Sequence, residues 1–132
     1  MRVILGVGCD RGTPFETLVT ALDQALALAG LSLDAVCGLA TIDKKNDESC
    51  ILMLAARSDW PLYFFSAEEL AKVPVPNPSA TVLKYMGTPA VAEAAALLAA
   101  HAELDALLVE KHKHRGADGR NATVSIVRTK NE

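Results

Sequence analysis

The sequence predicts an α/β fold: a three-layer α/β/α sandwich around a mostly parallel central sheet of about five strands. Short apolar runs alternate along the chain with segments of helical periodicity, which favours a sheet with helices on both faces. A turn containing Asp-Gly joins the last two strands and predicts a C-terminal antiparallel hairpin. We expect residues 1–132 to form a single domain, because 132 residues suffice for one core.

Each element is predicted from its own pattern. Apolar or β-branched runs predict five strands, at residues 2–7, 34–40, 61–65, 106–113 and 123–128. Apolar residues at helical spacing predict helices at residues 13–29, 48–57, 66–72 and 88–101. Three prolines between residues 73 and 81 exclude a helix there. We expect that proline segment to cover a ligand or to face a partner.

Composition excludes several classes of protein. The formal net charge of -3 lacks the basic character of a nucleic-acid-binding protein. The alanine-rich run near residue 95 is too short to span a membrane, and the apolar start is too short for a signal peptide. Three cysteines, an odd number, favour a reducing compartment. We therefore expect a cytoplasmic protein that binds neither nucleic acid nor membranes.

The tripeptide Gly-Thr-Pro occurs twice, at residues 12–14 and 87–89, and predicts two helix starts. Threonine is a good N-cap, and proline fits the first helical position. Glu16 would complete a capping box with Thr13, and Glu69 would do so with Ser66. Helix starts also present free N–H groups, so both Gly-Thr-Pro ends would attract carboxylates if they share one edge of the sheet.

The glycine-rich loop after the first strand has three interpretations. Its glycine spacing is GxGxxxG, and no lysine follows Gly12, so it does not match a dinucleotide or P-loop motif. Nucleotide binding is therefore a minor alternative. Cys9 is a candidate nucleophile, because a helix start and Arg11 would lower its pKa. The alternative, which we favour, is that Cys9 has no chemical role and is a small residue that packs at the end of a strand.

Two charged segments and the cysteines are the remaining candidates for a binding, catalytic or metal site. Residues 41–48 form either a solvated loop or a site that presents Lys44 and Lys45 to an anion, with Glu48 for acid–base chemistry. His112 and His114 would share one face of a strand, where a metal is conceivable but a surface hairpin end is favoured. The cysteine spacing gives no zinc pattern. We expect no metal and no cofactor.

Seven motifs in order resemble one known family. They are "GVGCDRGTPFETL", "GLATIDKKNDE", "PLYFFSAEEL", "VPNPSATV", "GTPAVAEAAALLAA", "LLVEKHK" and "ATVSIVR". Together they resemble the CobE and CbiG C-terminal domain family of cobalamin biosynthesis, over nearly the whole chain, and are most similar to free-standing CobE. One departure is local: residues 48–51 read Glu-Ser-Cys-Ile where other members have a small residue followed by Gly-Leu.

The resemblance implies a role in building the corrin ring. The expected function is to bind a precorrin, a macrocycle rimmed with carboxylates, as a carrier or a partner of pathway enzymes. The alternative is a hydrolase that opens a precorrin lactone with loss of acetaldehyde, with Glu16 or Glu48 as general base. The predicted ligand-binding residues are Gly8, Cys9, Arg11, Gly12, Thr13, Thr41, Asp43, Lys44, Ser66, Ser79, Gly87, Thr88, Glu93 and Lys111. Among them Arg11, Lys44 and Lys111 would anchor carboxylates.

Overall fold

The computed structural model describes residues 2–45, 47–73 and 91–129. The five strands are β1 (Val3–Cys9), β2 (Val36–Ile42), β3 (Leu62–Phe65), β4 (Leu107–Arg115) and β5 (Asn121–Arg128). The helices in this part of the chain are α1 (Phe15–Ala29), α2 (Ser49–Ser58), α3 (Ala67–Ala71) and α4 (Val91–Ala100). Short 3-10 turns lie at Leu33–Ala35, Asp43–Lys45 and Leu104–Ala106.

The strands form one mixed sheet in the order β3-β2-β1-β5-β4. β2 pairs in parallel with both β1 and β3, whereas β5 is antiparallel to both β1 and β4. Since β1 and β4 both run opposite to β5, strands β1 to β4 all point in one direction. This arrangement confirms the predicted α/β sheet and its C-terminal hairpin.

Helices cover both faces of the sheet because alternate strand residues supply two apolar clusters. On one face, Leu5 of β1 and Ile126 of β5 pack with Leu18 of α1 and Ile51 of α2. The other cluster joins β1 and β2 to α3 and α4, with Ile4, Ile42, Leu70, Ala95 and Leu97 among its members. The layers are therefore α, β and α, as predicted.

Helix α4 approaches β1 very closely at Gly6. A Cβ atom on Gly6 would overlap the backbone oxygen of Ala92 and lie 3.0 Å from the Cβ of Ala96. The small residues of α4 and the missing side chain at Gly6 thus permit this contact. Gly8 lies two positions further along β1 and faces the same side. None of the described residues comes within 4 Å of a Cβ placed there.

The boundaries differ from prediction where tertiary pairing extends or shortens an element. Strands β1 and β4 continue to Cys9 and Arg115, because both pair with β5 to that point. The fourth predicted helix is described from Val91 onward. The proline segment lies mostly outside the described residues. No helix in the described part is long and apolar enough to cross a membrane.

Of the two predicted capping boxes, one is confirmed and one is wrong. Ser66 accepts a hydrogen bond from the Glu69 N–H at 3.1 Å, and the Glu69 carboxylate accepts one from the Ser66 N–H at 2.9 Å. Helix α1 instead begins after Pro14, without any side-chain cap. The hydroxyl of buried Thr13 donates to the Asp10 carbonyl at 2.6 Å, which closes the loop and leaves it unavailable as a cap.

Candidate functional site

The carboxyl ends of strands β1 to β4 meet at one edge of the sheet, because these strands point in the same direction. From β1 the chain continues through α1 and α2 on one face, whereas α4, which precedes β4, covers the other face. The edge beside β1 is thus where the connections diverge to opposite faces. Ligands of open α/β sheets bind at such positions.

Glu48 holds the loop after β1 against the start of α2. Its side chain is buried, and its Oε2 accepts a hydrogen bond from the Gly12 N–H at 3.1 Å. Its Oε1 lies 3.4 Å from Nη1 of Arg11 and 3.8 Å from Nζ of Lys45. Lys45 is itself buried, with 7% of its surface exposed, so this ion pair balances charge inside the protein.

The guanidinium of Arg11 is already bound by two neighbouring residues of the same protein. Its Nη1 donates to Asp47 at 2.7 Å, and its Nη2 donates to the Lys44 carbonyl at 3.3 Å. The hydrogen bond and the charge of Arg11 lower the pKa of Asp47, and the same contact raises the pKa of Arg11. The pair is largely exposed, so a carboxylate ligand can compete with Asp47 for the guanidinium.

Two cysteines far apart in the sequence meet behind this loop. The Sγ atoms of Cys9 and Cys50 are 3.7 Å apart, although 41 positions separate the residues. A hydrogen bond from Cys50 is the main cause that lowers the pKa of Cys9, whereas burial opposes it. The pKa of Cys50 is raised, first by that hydrogen bond and then by burial. Both sulfurs lie within 4.8 Å of a Glu48 carboxylate oxygen.

A second buried carboxylate lies on the α4 face. Glu93 is 1% exposed, and its Oε1 is 3.8 Å from Nζ of Lys111. Its Oε2 has no hydrogen-bond partner among the described residues. Burial raises the pKa of Glu93 to about 6; the Lys111 charge opposes this rise and Glu110 adds to it. Such a carboxyl can hold or release a proton near neutral pH.

The remaining predicted residues have varied positions. Thr41 is buried, and its hydroxyl donates to the Val7 carbonyl at 2.8 Å, a bond between neighbouring strands. Glu16, Asp43 and Lys44 are exposed. Nε2 of His112 lies 2.6 Å from Oε1 of Gln24, so it faces helix α1. The predicted residues Ser79, Gly87 and Thr88, with the second Gly-Thr-Pro, lie outside the described residues.

The structure therefore brings together only part of the predicted set. The loop after β1 gathers Cys9, Arg11, Gly12, Lys44 and Glu48. Glu93 and Lys111 lie on the α4 face, and Gly8 opens towards the same face. Sequence reasoning missed Cys50 as a neighbour of Cys9, and it missed the buried state of Lys45. No spacing in the sequence indicates the Cys9–Cys50 contact or the burial of Lys45, because both depend on how β1 packs against α2.

Comparison with known proteins gives consistent results. The family described as Cobalamin synthesis G C-terminus matches residues 3–127. Protein CobE of Sinorhizobium sp is 36% identical over 111 residues, which are 83% of this chain and 71% of that protein. Cobalt-precorrin-5A hydrolase of Priestia megaterium is 34% identical over 122 residues, 92% of this chain. The matched part is 31% of that hydrolase, so this chain spans about a third of its length.

A solved structure supports the same assignment. The crystal structure of CobE, described as a protein from the cobalamin (vitamin B12) biosynthetic pathway, superposes with a TM-score of 0.78 at 32% identity. The match covers 98% of this chain and 93% of that one. The resemblance predicted from the seven ordered motifs is thus confirmed. The chain belongs to the Cobalamin synthesis G C-terminus family, and its role lies in cobalamin biosynthesis.

Proposed function

We propose that this protein binds a precorrin or a related carboxylate-rich tetrapyrrole, as a carrier or as a partner of other cobalamin-pathway enzymes. The proposed domain is the whole chain, residues 1–132, and its proposed compartment is the cytoplasm. The proposal rests mainly on a row of residues at Gly8, on the α4 face of the sheet edge, where no described residue comes within 4 Å of a Cβ placed on that glycine.

This row of residues crosses three strands. Gly8 of β1 pairs with Thr123 of β5, which pairs in turn with Lys113 of β4. Directly paired residues point to the same face, so these three form a row beside α4. Three neighbouring strands span roughly 10 Å, a width that suits one edge of a macrocycle.

Charge and shape favour a flat anionic ligand at this row. A Cβ at Gly8 would meet no described residue within 4 Å, so the backbone there admits close approach. Lys113 is exposed, and Lys111 lies beside Glu93 on the same face. The ammonium groups of these two lysines, at the β4 end of the row, can bind the acetate and propionate groups of a tetrapyrrole while its ring lies on the strands.

Titration with hydrogenobyrinic acid, followed by absorbance and calorimetry, tests the proposal. Gly8→Leu places a side chain over the backbone at Gly8, and we expect it to weaken binding about tenfold or more, because the tetrapyrrole ring could no longer approach the backbone there. Ala27→Leu is the matched control: it adds similar bulk on the exposed side of α1 and should bind like the original protein. Absence of any response to high micromolar ligand would contradict the proposal.

A hydrolase is the second candidate, favoured by the buried Glu93 with a pKa of about 6 and by the similarity to the cobalt-precorrin-5A hydrolase of Priestia megaterium. In this alternative a carboxylate activates water to open a precorrin lactone, and acetaldehyde is lost. Acetaldehyde release from a lactone-bearing precorrin tests it. Variants Glu16→Gln, Glu48→Gln and Glu93→Gln then identify the base, since only the base variant should lose most of the rate.

A further inference from the structure

We propose that Cys9, Cys50 and Glu48 form a zinc-binding site. This site goes beyond the proposed tetrapyrrole binding and does not depend on it. It lies on the α1 and α2 side of the sheet, whereas the Gly8 row faces α4. The argument rests on the distance between the two sulfurs, on a buried carboxylate oxygen that accepts no hydrogen bond from the described residues and on the local balance of charge.

The distance between the sulfurs fits a shared tetrahedral metal. Cys9 and Cys50 hold their Sγ atoms 3.7 Å apart. A zinc ion with Zn–S bonds of about 2.3 Å and tetrahedral angles places two sulfurs about 3.8 Å apart. A disulfide requires about 2.05 Å, so the pair is held much further apart than a covalent bond would hold it. Neither sulfur has to move for zinc to bridge them.

Glu48 supplies an oxygen that lacks a hydrogen bond. Its Oε1 is buried and accepts none from the described residues, whereas Oε2 is bound to the Gly12 N–H. A carboxylate oxygen of Glu48 lies within 4.8 Å of both sulfurs. A zinc ion would require its oxygen and sulfur ligands to lie about 3.5 Å apart. A movement of the Glu48 carboxylate by about 1 Å brings it to that distance. Arg11 and Lys45 balance the charge of this oxygen from 3.4 and 3.8 Å, but neither forms a hydrogen bond to it, and a metal bond would satisfy its free lone pairs.

The local charges suit a divalent cation. Two thiolates and one carboxylate carry three negative charges, so zinc leaves one, which the buried Lys45 ammonium near Glu48 can balance. Thiolate ligands select zinc over magnesium or calcium. As each Zn–S bond forms, its thiol releases a proton to the buffer. The described residues supply three ligands, and a water molecule completes the tetrahedron.

The supporting elements are rigid. Cys9 is the last residue of β1, and Cys50 lies in the first turn of α2. Both elements contribute to one apolar cluster, so the ligands are positioned before the metal arrives.

Zinc titration of the reduced full-length chain, in competition with a chromophoric chelator, tests the proposal. We expect one zinc per chain, with release of protons. Cys9→Ser and Cys50→Ser should each weaken zinc binding about 100-fold or more, since even outer contacts of metal sites change affinity 10- to 100-fold. Cys37→Ser is the matched control, because the Cys37 thiol donates to the Val3 carbonyl and lies outside the cluster.

A second measurement needs no variant. Zinc should slow iodoacetamide alkylation of Cys9 and Cys50 but leave Cys37 unchanged, as mass spectrometry of the labelled peptides would record. The proposal is overturned if the reduced protein binds no zinc, if Cys9→Ser and Cys50→Ser retain the original affinity, or if zinc leaves alkylation of both thiols unchanged. Detection of a Cys9–Cys50 disulfide without zinc binding by the reduced protein overturns it as well.

Discussion

The carboxylate of Glu48 accepts a hydrogen bond from the backbone N–H of Gly12 at 3.1 Å, although 36 positions separate these residues. Gly12 has a φ of 79°, a conformation that favours glycine and turns its N–H towards Glu48. The glycine loop after β1 does bind an anion, but that anion is a side chain of the same protein. A ligand carboxylate at this loop has to compete with Glu48 or bind beside it.

Replacing Glu48 by alanine should destabilise the protein strongly. The Gly12 N–H would lose its acceptor, and the buried ammonium of Lys45 would lose its counter-ion. Loss of one partner from such a buried pair costs about 3 kcal/mol. Urea unfolding measures this cost. Asp47→Asn is the control, because it removes an exposed ion pair to Arg11 and should change the midpoint very little.

Gly6→Ala and Gly8→Ala should have opposite consequences, although both lie on the same face of β1. A Cβ at Gly6 overlaps the Ala92 carbonyl, so α4 has to move, at a cost of about 3 kcal/mol. A Cβ at Gly8 meets no described residue, and alanine there should be neutral or slightly stabilising. Thermal unfolding of both variants checks this. Equal melting temperatures would show that α4 does not hold β1 so closely.

The two capping motifs predict different mutational effects. Ser66→Ala removes a formed capping box and should destabilise α3 by about 1 kcal/mol, which hydrogen exchange of the α3 amides would show. Glu16→Ala should affect α1 less, because Glu16 takes part in no cap and only its charge in the first turn is lost. If hydrogen exchange in α1 of Glu16→Ala were accelerated as much as exchange in α3 of Ser66→Ala, the capping box predicted for Glu16 would be supported after all.

The sequence carries most of the fold. Runs of apolar residues at strand or helical spacing identify the elements, and the Asp-Gly step near Gly119 identifies the hairpin. The direction of the strands follows from their helical connections. What periodicity leaves open is the use of each polar group, as Thr13 illustrates. The same hydroxyl can cap a helix or close a turn, and here the Asp10 carbonyl binds it.

The candidate site is less predictable because it depends on distant contacts. Cys9 and Cys50 belong to β1 and α2, and their meeting requires the whole β1–α1–β2–α2 arrangement. Glu48 was a candidate base, but its bond to Gly12 is set by loop geometry with no local sequence signal. Lys45 looks like a solvated residue in a charged segment, yet it is buried. Charge in a sequence does not reveal which member of a cluster lies inside.

Glu93 should make the protein less stable as the pH rises. Its pKa is about 6 in the folded protein and 4.5 as the ordinary value, so between these values the folded chain keeps a proton that the unfolded chain releases. Stability from this group is complete below pH 4.5 and is lost as the pH passes through 6. The loss amounts to about 2 kcal/mol, since one pKa unit corresponds to about 1.4 kcal/mol.

The variant Glu93→Gln isolates this effect, because glutamine is close in shape and stays neutral. The free energy of unfolding of Glu93→Gln minus that of the original protein should increase between pH 4 and pH 7 by about 2 kcal/mol. The charges of Lys111 and Glu110 act on Glu93 and are present in both proteins, so their own titration largely cancels in the difference. Glu103→Gln at an exposed position controls for the change in net charge. A difference that stays constant across this range would mean that Glu93 remains ionised in the fold, held by Lys111 in spite of its burial.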